Sequence, residues 1–230
     1  MKDLGLAYYD VITDECIKVI YYLDGIENNS ILSVKNAFEY DKDMIIEEIK
    51  KQNYLYMIEL LMTPKIYWFT GQAGAGKTEL ANMLKTKLIR EQTIIQQNYV
   101  THKTWSSHFP NKKFVIIDGD DIRELYKNTD YSVEGRKANV DFVQKMCIFL
   151  KKNNIVPIVC MVSPFSEQRR AFIDEENGME IYVHCNEIRG REHFHVDYYE
   201  QPTNFDNAVE IDTTNKSVTE SFQELWKKLL

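Results

Sequence analysis

The sequence predicts an α/β fold, with a doubly wound, parallel five-stranded sheet, helices on both faces, and a helical N-terminal segment. Three observations lead to this fold class. From residue 65 onward, short apolar runs alternate with segments of helical spacing. The apolar runs are continuous, as expected of strands that are covered on both faces of a parallel sheet. A glycine-rich loop joins the first of these strands to the first helix, a connection common in such sheets.

Five strands and five helices are predicted in turn along this region. The strands are Lys65–Thr70, Lys113–Asp118, Ile155–Val162, Met179–His184 and Ala208–Asp212. The helices cover residues 79–88, 121–127, 134–152, 166–175 and 217–229. Residues 93–112 are predicted to be a long connection between the first helix and the second strand. Pro157 lies inside a predicted strand, where proline is best tolerated at an edge or a bulge.

Residues 1–62 lack this alternation and are predicted to form a helical accessory segment beside a domain at residues 63–230. Helix-like patterns run from Tyr8 to Leu23 and from Asp43 to Met62. The turn-prone stretch Asp24–Ser30 separates them. No chemical motif is found here, so we expect this segment to pack on the larger domain or on a partner.

The composition narrows the class of partner. The 230 residues are 44% hydrophobic and carry a formal net charge of −7. Proteins that bind the nucleic-acid backbone are usually basic, so a polynucleotide partner is disfavoured. No stretch reaches membrane-spanning length and no signal peptide is evident, so we expect a cytoplasmic protein without a membrane partner. The four cysteines are far apart and form no Cys-x-x-Cys pair, which fits reduced thiols.

The most specific motif is Gly71-Gln72-Ala73-Gly74-Ala75-Gly76-Lys77-Thr78. It fits the phosphate-loop pattern, two glycines separated by four residues and followed by Lys and Thr. The backbone N–H groups of such a loop, with the positive end of the next helix, form a cradle for phosphate oxygens. Lys77 would reach the β- and γ-phosphates of ATP, and the Thr78 hydroxyl would hold Mg²⁺. The sequence therefore predicts binding of ATP with Mg²⁺.

A second cluster, Asp118-Gly119-Asp120-Asp121-Ile122-Arg123, begins where the second strand of the domain ends. Ligands of open parallel sheets bind just beyond the carboxyl ends of the strands, where this cluster falls. Its carboxylates suit two tasks, orienting Mg²⁺ and accepting a hydroxyl proton during phosphoryl transfer. Arg123 is suited to pairing with an anionic acceptor. The alternative is an ordinary polar strand end with capping aspartates.

Further motifs follow in order. They are Tyr131-Ser132-Val133-Glu134-Gly135-Arg136 with Asn139, then Val162-Ser163-Pro164-Phe165, then Gln168-Arg169-Arg170. The series resembles the adenylylsulfate kinase family, phosphate-loop kinases that phosphorylate the 3′-hydroxyl of adenosine 5′-phosphosulfate. That family shows a Gly-x-x-Gly-x-Gly-Lys-Thr loop, an Asp-Gly-Asp segment, a Ser-x-x-x-Arg-x-x-Asn helix entry and a Ser-Pro-aromatic segment. The resemblance covers about residues 64–230.

The resemblance implies roles for individual residues. Asp120 corresponds to the proposed catalytic base and Mg²⁺-associated carboxylate, with Asp118 beside it. The residues that would hold the acceptor nucleotide are Arg123, Tyr131, Arg136, Asn139, Val162, Ser163 and Phe194. Tyr131 and Phe194 would stack on the two faces of its base, and Thr213 would lie near the adenine of ATP. The alternative for both aromatic rings is a place in the hydrophobic core.

The sequence departs from the family pattern at three places. Asp121 replaces an Asn, Asp141-Phe142 replace a basic pair, and the long basic lid is shortened to Asn186–His193. Arg189 and Arg191 of the short segment would stabilise charge that develops at the γ-phosphate, as lid arginines commonly do. The alternative is that both are solvated loop residues.

Sequence and resemblance together predict an ATP-dependent kinase acting on a hydroxyl of a small nucleotide, in sulfate assimilation, with adenosine 5′-phosphosulfate the first acceptor to try. Two alternatives remain open. One is the same transfer to another nucleotide conjugate or to a modified nucleotide in a polynucleotide. The other is an ATP-gated binding module with little turnover. The resemblance also implies a possible homodimer.

Overall fold

The computed structural model describes residues 4–13, 16–23, 26–33, 39, 41, 43–46, 48–49, 66–99, 112–202 and 208–229. The chain divides into two compact units, Met1–Leu60 and Leu61–Leu230. Within the described part of the chain, no helix has both the length and the apolar character needed to cross a membrane.

The smaller unit contains an antiparallel sheet of three strands, β1 (Leu4–Thr13), β2 (Cys16–Leu23) and β3 (Ile26–Ser33), with β2 in the centre. The helix predicted from Tyr8 to Leu23 is therefore wrong, as is the long turn over residues 24–30. The first two strands are rich in β-branched and aromatic residues, which fit a pleated surface better than a helix. Leu23 pairs with Ile26, and the intervening Asp24-Gly25 is a dipeptide typical of two-residue hairpins.

The helix predicted over residues 43–62 is described at residues 43–46 and 48–49, which are helical. Asp41 precedes it, and its carboxylate accepts two backbone N–H groups from the first helical residues, each at 2.9 Å. This is the hydrogen bonding of a helix N-cap. The rest of the prediction lies outside the described residues.

The described part of the larger unit contains a sheet of five strands: β4 (Tyr67–Thr70), β5 (Lys113–Asp118), β6 (Ile155–Cys160), β7 (Met179–His184) and β8 (Ala208–Asp212). Their order is β5-β6-β4-β7-β8, and every neighbouring pair is parallel, which confirms the predicted fold class. Pro157 lies in an interior strand and not at the expected edge. Pairing with β4 begins only at Ile158, so Pro157 is in register with one neighbouring strand, at Val115 of β5.

Among the described residues of this unit, five α-helices lie around the sheet: α1 (Lys77–Tyr99), α2 (Gly119–Tyr126), α3 (Val133–Lys152), α4 (Ser166–Glu176) and α5 (Val218–Leu229). Helix α1 is longer than predicted, so residues 93–99 are helical and do not belong to the connection that follows. Trp68 and Val159 of the sheet pack with Val143 of α3 and Ile173 of α4 in one core cluster, all four fully buried. Helix α1 packs against α5 and against the strands β4, β5 and β6.

Gly71 directly follows β4 and brings the backbone against the neighbouring strand β7. Its φ is +137°, and an added Cβ would lie 1.9 Å from the Val183 carbonyl oxygen. Only glycine permits so close an approach. Where the loop leaves β4, the backbone of Gly71 therefore packs directly on the backbone of Val183 in β7.

Replacing Gly71 with alanine should destabilise the larger unit more than the same change at Gly190. Both glycines have positive φ, +137° and +73°, so alanine at either position carries a strain of about 1–3 kcal/mol. At Gly71 the methyl group also collides with backbone, adding about 1–3 kcal/mol of overpacking, whereas nothing lies within 4 Å of a Cβ at Gly190. Chemical denaturation of both variants measures the difference, and equal losses of unfolding free energy would contradict the close approach.

Candidate active site

The glycine-rich loop lies between β4 and α1, as the phosphate-loop motif predicts. Gly74 and Gly76 have φ of +79° and +96°, in the left-handed region that suits glycine. Helix α1 begins at Lys77, immediately after the loop. A glycine-rich loop that opens directly into a helix N-terminus is the arrangement that binds phosphate groups.

Lys77 is held by the loop that precedes it. Its ammonium donates a hydrogen bond to the Gln72 carbonyl oxygen at 2.7 Å. Burial lowers the pKa of Lys77 from 10.5 to about 8, and nearby acidic groups, including Asp118 and Asp120, oppose this shift in part. The ammonium is thus poorly solvated, which makes it a strong partner for an incoming anion.

Asp118 links the phosphate loop to the next strand. Its Oδ2 accepts a hydrogen bond from the Thr78 hydroxyl at 2.9 Å. Its Oδ1 accepts the Asp120 backbone N–H at 3.0 Å, so Asp118 is also the N-cap of α2. The sequence assigned Mg²⁺ to Thr78 and Asp120, whereas the structure places the Asp118 carboxylate directly on Thr78.

The oxygen atoms of Thr78 and Asp118 fit the chemistry of Mg²⁺. This ion prefers oxygen ligands, and it is usually held by one or two carboxylates together with substrate phosphates and water. Among the described residues, no group of three or more His, Cys, Asp or Glu side chains could hold a metal ion. One hydroxyl and one carboxylate suit a metal ion that arrives with phosphate.

One pocket of about 310 Å³ joins most of the predicted site residues. It extends from the phosphate loop past the carboxyl ends of β5 and β6 to the start of α3. The predicted residues that line it are Ala73, Gly74, Gly76, Lys77, Thr78, Asp118, Asp120, Arg123, Tyr131, Arg136, Asn139, Val162, Ser163 and Arg191. Gly71, Gln72 and Ala75 belong to the same loop but lie outside this lining.

Two arginines flank the Tyr131 ring at the far side of this pocket. The guanidinium carbons of Arg123 and Arg136 lie 4.3 and 5.3 Å from the ring centroid. Arg123 also donates to the Asp130 carbonyl oxygen at 2.7 Å, and Arg136 donates to the Tyr131 carbonyl oxygen at 3.1 Å. Tyr131 is 54% exposed, so its alternative assignment to the hydrophobic core is wrong.

Asn139 and Ser163 are buried residues that line the pocket. Asn139 lies one turn beyond Arg136 on α3, as the i, i+3 spacing predicts. Ser163 has φ of +43°, a left-handed conformation that is uncommon outside glycine. Its hydroxyl accepts a hydrogen bond from the Trp68 indole at 3.2 Å.

Arg189 and Arg191 differ in their surroundings. Arg191 lines the pocket. Arg189 lies outside that lining, and its guanidinium donates to the Thr213 carbonyl oxygen at 2.9 Å and to a Glu187 carboxylate oxygen at 2.6 Å. The Thr213 hydroxyl in turn donates to the Ala75 carbonyl oxygen at 3.0 Å. Thr213 is thus adjacent to the phosphate loop, and the hydrogen bond from Arg189 holds it in that position.

Phe194 does not line the pocket. Its ring is 53% exposed and lies 5.5 Å from the guanidinium carbon of Arg191 and 4.0 Å from the His193 ring. The core alternative is therefore wrong for Phe194 as well. The stacking of both rings on an acceptor base stays a prediction, and of the two only Tyr131 lines the pocket.

Sequence reasoning missed Cys160 and several contacts made by residues of the site. Cys160 lines the pocket, and burial raises the pKa of its thiol to about 12, which keeps it protonated. The Gln72 side chain donates to the Val196 carbonyl oxygen at 2.8 Å and accepts the Val196 N–H at 3.0 Å. His195 Nε2 lies 3.0 Å from the Ala73 carbonyl oxygen. No local sequence pattern predicts contacts between residues that are more than a hundred positions apart.

Comparisons with known proteins agree with the resemblance. A family model described as Adenylylsulphate kinase matches residues 63–204. An adenylyl-sulfate kinase of Pseudomonas aeruginosa is 30% identical over 124 residues, which are 52% of this chain and 54% of that protein. One of Oceanobacillus iheyensis is 26% identical over 182 residues, covering 70% of this chain and 81% of that protein.

A solved structure supports the fold. It is that of the Mycobacterium tuberculosis APS kinase CysC in complex with AMPPNP and APS, with a TM-score of 0.54 and 20% identity. The match covers 72% of this chain and 96% of that one. The chain spans about half the length of the Pseudomonas relative. Because the family match covers more than half of the 230 residues and includes the whole lining of the pocket, the chain belongs to the adenylylsulphate kinase family.

Proposed function

We propose that this protein is an ATP-dependent kinase that transfers the γ-phosphate to a hydroxyl of a small nucleotide, the 3′-hydroxyl of adenosine 5′-phosphosulfate. One observation carries the proposal: a single pocket is lined by the phosphate-loop residue Lys77, by the carboxylate of Asp120 and by the arginine pair Arg123 and Arg136. A donor site, a proton acceptor and an anion site thus share one space. Membership of the adenylylsulphate kinase family supports the choice of acceptor.

The phosphate loop and the N-terminus of α1 hold the triphosphate of ATP in this proposal. Lys77 exchanges its hydrogen bond with the Gln72 carbonyl for bonds to phosphate oxygens, which are stronger because both partners are charged. Thr213, which contacts the loop through the Ala75 carbonyl, borders the adenine.

Thr78 and Asp118 are the residues proposed to hold Mg²⁺. The contact between their oxygens at 2.9 Å supports this pairing, and Asp118 therefore joins a site that the sequence assigned to Asp120. A Mg²⁺ ion held by these two residues would offset the negative charge of the triphosphate.

Asp120 is the proposed general base. It lies in the first turn of α2 and lines the pocket. It accepts the proton of the acceptor hydroxyl while that oxygen bonds to the γ-phosphorus and the bond to the departing ADP oxygen breaks. Arg191 neutralises charge on the transferring group, and Arg123 and Arg136 bind the anionic part of the acceptor.

An acceptor screen tests the proposal. Purified protein is incubated with Mg-ATP, and ADP release is followed with adenosine 5′-phosphosulfate, AMP, adenosine and a short oligonucleotide in turn. ADP release that depends on adenosine 5′-phosphosulfate is expected. Dependence on a different acceptor would assign the transfer to that acceptor. ATP binding without any acceptor-dependent turnover would favour an ATP-gated binding module instead.

The affinity for ATP should fall as the pH rises above about 8, the pKa of Lys77 in the free protein. Phosphate stabilises the ammonium, so the complex has a higher pKa and binding takes up a proton. The affinity should then fall by up to about tenfold per pH unit above 8. Calorimetry with a non-hydrolysable ATP analogue at pH 7.5 and 9.5, in buffers of different ionisation enthalpy, measures both effects. Lys77→Arg stays charged and should show neither, and a flat wild-type profile would contradict the assignment.

Asp120→Asn should lower turnover by about 10²–10⁴-fold, the usual effect of removing a positioned proton acceptor. Affinity for the ATP analogue should change little. Asp121→Asn is the matched control, because Asp121 is adjacent and exposed but does not line the pocket. Steady-state kinetics of both variants measures the loss of turnover. If Asp120→Asn were fully active and Asp118→Asn lost turnover instead, the roles proposed for Asp118 and Asp120 would be reversed.

Tyr131→Ala should weaken acceptor binding by about 1–3 kcal/mol, or about 5- to 150-fold, because a stacking ring is lost. The melting temperature should change little, since the ring is 54% exposed. Tyr126→Ala is the control, an exposed tyrosine of α2 outside the pocket lining. Acceptor titration and thermal melting are measured on both variants. A lower melting temperature with unchanged acceptor affinity would exclude Tyr131 from the site.

A further inference from the structure

Arg169 of α4 and Glu180 of β7 form an ion pair in the core of the larger unit. Both side chains are fully buried, and Arg169 Nε lies 2.7 Å from Glu180 Oε1. Burying two charges costs about as much as their attraction returns, so an apolar pair of similar size often stabilises a fold equally well. Stability alone therefore does not explain why this ion pair is present.

The remaining nitrogens of Arg169 hold two backbone carbonyl groups. Nη1 donates to the Ser163 carbonyl oxygen, and Nη2 donates to the Glu200 carbonyl oxygen at 2.7 Å. Ser163 lines the pocket in a left-handed conformation. A non-glycine residue keeps such a conformation only when its surroundings hold it. Arg169 thus fixes the turn that forms one side of the pocket, residues 161–164, which we call the acceptor wall.

Glu200 belongs to residues 195–200, the crossing segment, which contacts the phosphate loop and the acceptor wall alike. On the loop side, His195 Nε2 lies 3.0 Å from the Ala73 carbonyl oxygen, and the Val196 backbone forms two hydrogen bonds with the Gln72 amide, at 2.8 and 3.0 Å. The Tyr199 hydroxyl lies 2.9 Å from the hydroxyl of Thr70, the last residue of β4. On the other side, the Glu200 N–H donates to the Pro164 carbonyl oxygen at 2.9 Å. The Glu200 carboxylate accepts the Ser166 N–H at 2.7 Å.

We propose that Arg169 is a positioning residue that fixes the acceptor wall relative to the phosphate loop, through Ser163 on one side and Glu200 on the other. This inference rests on the proposed kinase function. Arg169 does not line the pocket, so it acts through the backbone and not on a substrate. Phosphoryl transfer requires aligned reacting atoms, and a shift of about 1 Å lowers the rate about 100-fold.

The arginine is suited to this task by its shape. A guanidinium presents its N–H groups in a fixed planar fork, so three acceptors on different elements can be held at set angles by one side chain. Its carbon also lies 5.4 Å from the centroid of the Tyr199 ring, which belongs to the crossing segment. A lysine presents its three N–H groups from a single nitrogen, so it does not reach acceptors at the three separate positions of Nε, Nη1 and Nη2.

The test removes the polar contacts without leaving a buried charge. Arg169→Met alone would leave the buried Glu180 carboxylate with only the more distant Arg170 Nη1, 4.0 Å away. Breaking a buried ion pair in this way is strongly destabilising, so the double variant Arg169→Met/Glu180→Leu is used. The matched control is Lys151→Met/Glu176→Leu, which removes a 2.8 Å ion pair between the C-terminal ends of α3 and α4. Each full-length protein is measured for melting temperature, binding of a non-hydrolysable ATP analogue, and kcat and KM for adenosine 5′-phosphosulfate.

The double variant leaves the Ser163 and Glu200 carbonyl groups without their donor, so it should melt a few degrees below the wild type. It should bind the ATP analogue within about threefold, while kcat/KM for the acceptor falls about 10- to 100-fold. The control should match the wild type in all three measurements. An unchanged kcat/KM in the folded double variant overturns the inference. A parallel loss of ATP and acceptor binding also overturns it, because a purely structural role predicts that result.

A second variant keeps the inference testable if the double variant does not fold. Tyr199→Phe removes only the hydroxyl contact to Thr70, and it should lower kcat/KM for the acceptor about threefold or more with ATP binding unchanged. An unchanged kcat/KM there overturns the inference. A wild-type protein that phosphorylates no acceptor overturns the proposed function and this inference together, whereas an active wild type with unaffected variants overturns the inference alone.

Discussion

The approach of Gly71 to the Val183 carbonyl is the contact on which the site depends. It sets the phosphate loop against the central pair of strands, at the edge where all five parallel strands end. In such a sheet the carboxyl ends of neighbouring strands lie side by side, so Asp118 at the end of β5 meets Thr78 at the start of α1. Residues forty positions apart become partners because strand order, and not sequence distance, decides what is near.

The sequence was sufficient for the larger unit because its signals are local and agree with one another. Continuous apolar runs, helical spacing and the glycine loop each predict the same alternation, and all five strands were found within a few residues of their observed ends. The smaller unit was misjudged because apolar residues between Tyr8 and Leu23 satisfy a helical pattern as well as a strand pattern. Asp24-Gly25, a hairpin dipeptide, was the better guide there.

The candidate site was predictable where a motif carries the chemistry and unpredictable where tertiary packing decides. Lys77, Asp120 and Arg123 follow from motifs, and they do share one pocket. The contact of Asp118 with Thr78 and the buried pair of Arg169 with Glu180 join separate elements, so no spacing rule reveals them. The role of Arg189 stays a prediction: its guanidinium binds Glu187 and Thr213 and also donates to the carbonyl oxygen of the loop residue Gly74, contacts that no spacing rule reveals.

The central claim is that the phosphate lost by ATP is gained by adenosine 5′-phosphosulfate. The most direct measurement is mass spectrometry of the products, with ³¹P NMR to identify the phosphorylated position, after the purified protein has consumed Mg-ATP in the presence of that acceptor. The account predicts an acceptor heavier by one phosphate, carried on the 3′-oxygen, in an amount equal to the ADP formed. ADP formed together with free phosphate, while the acceptor is recovered unchanged, would contradict it.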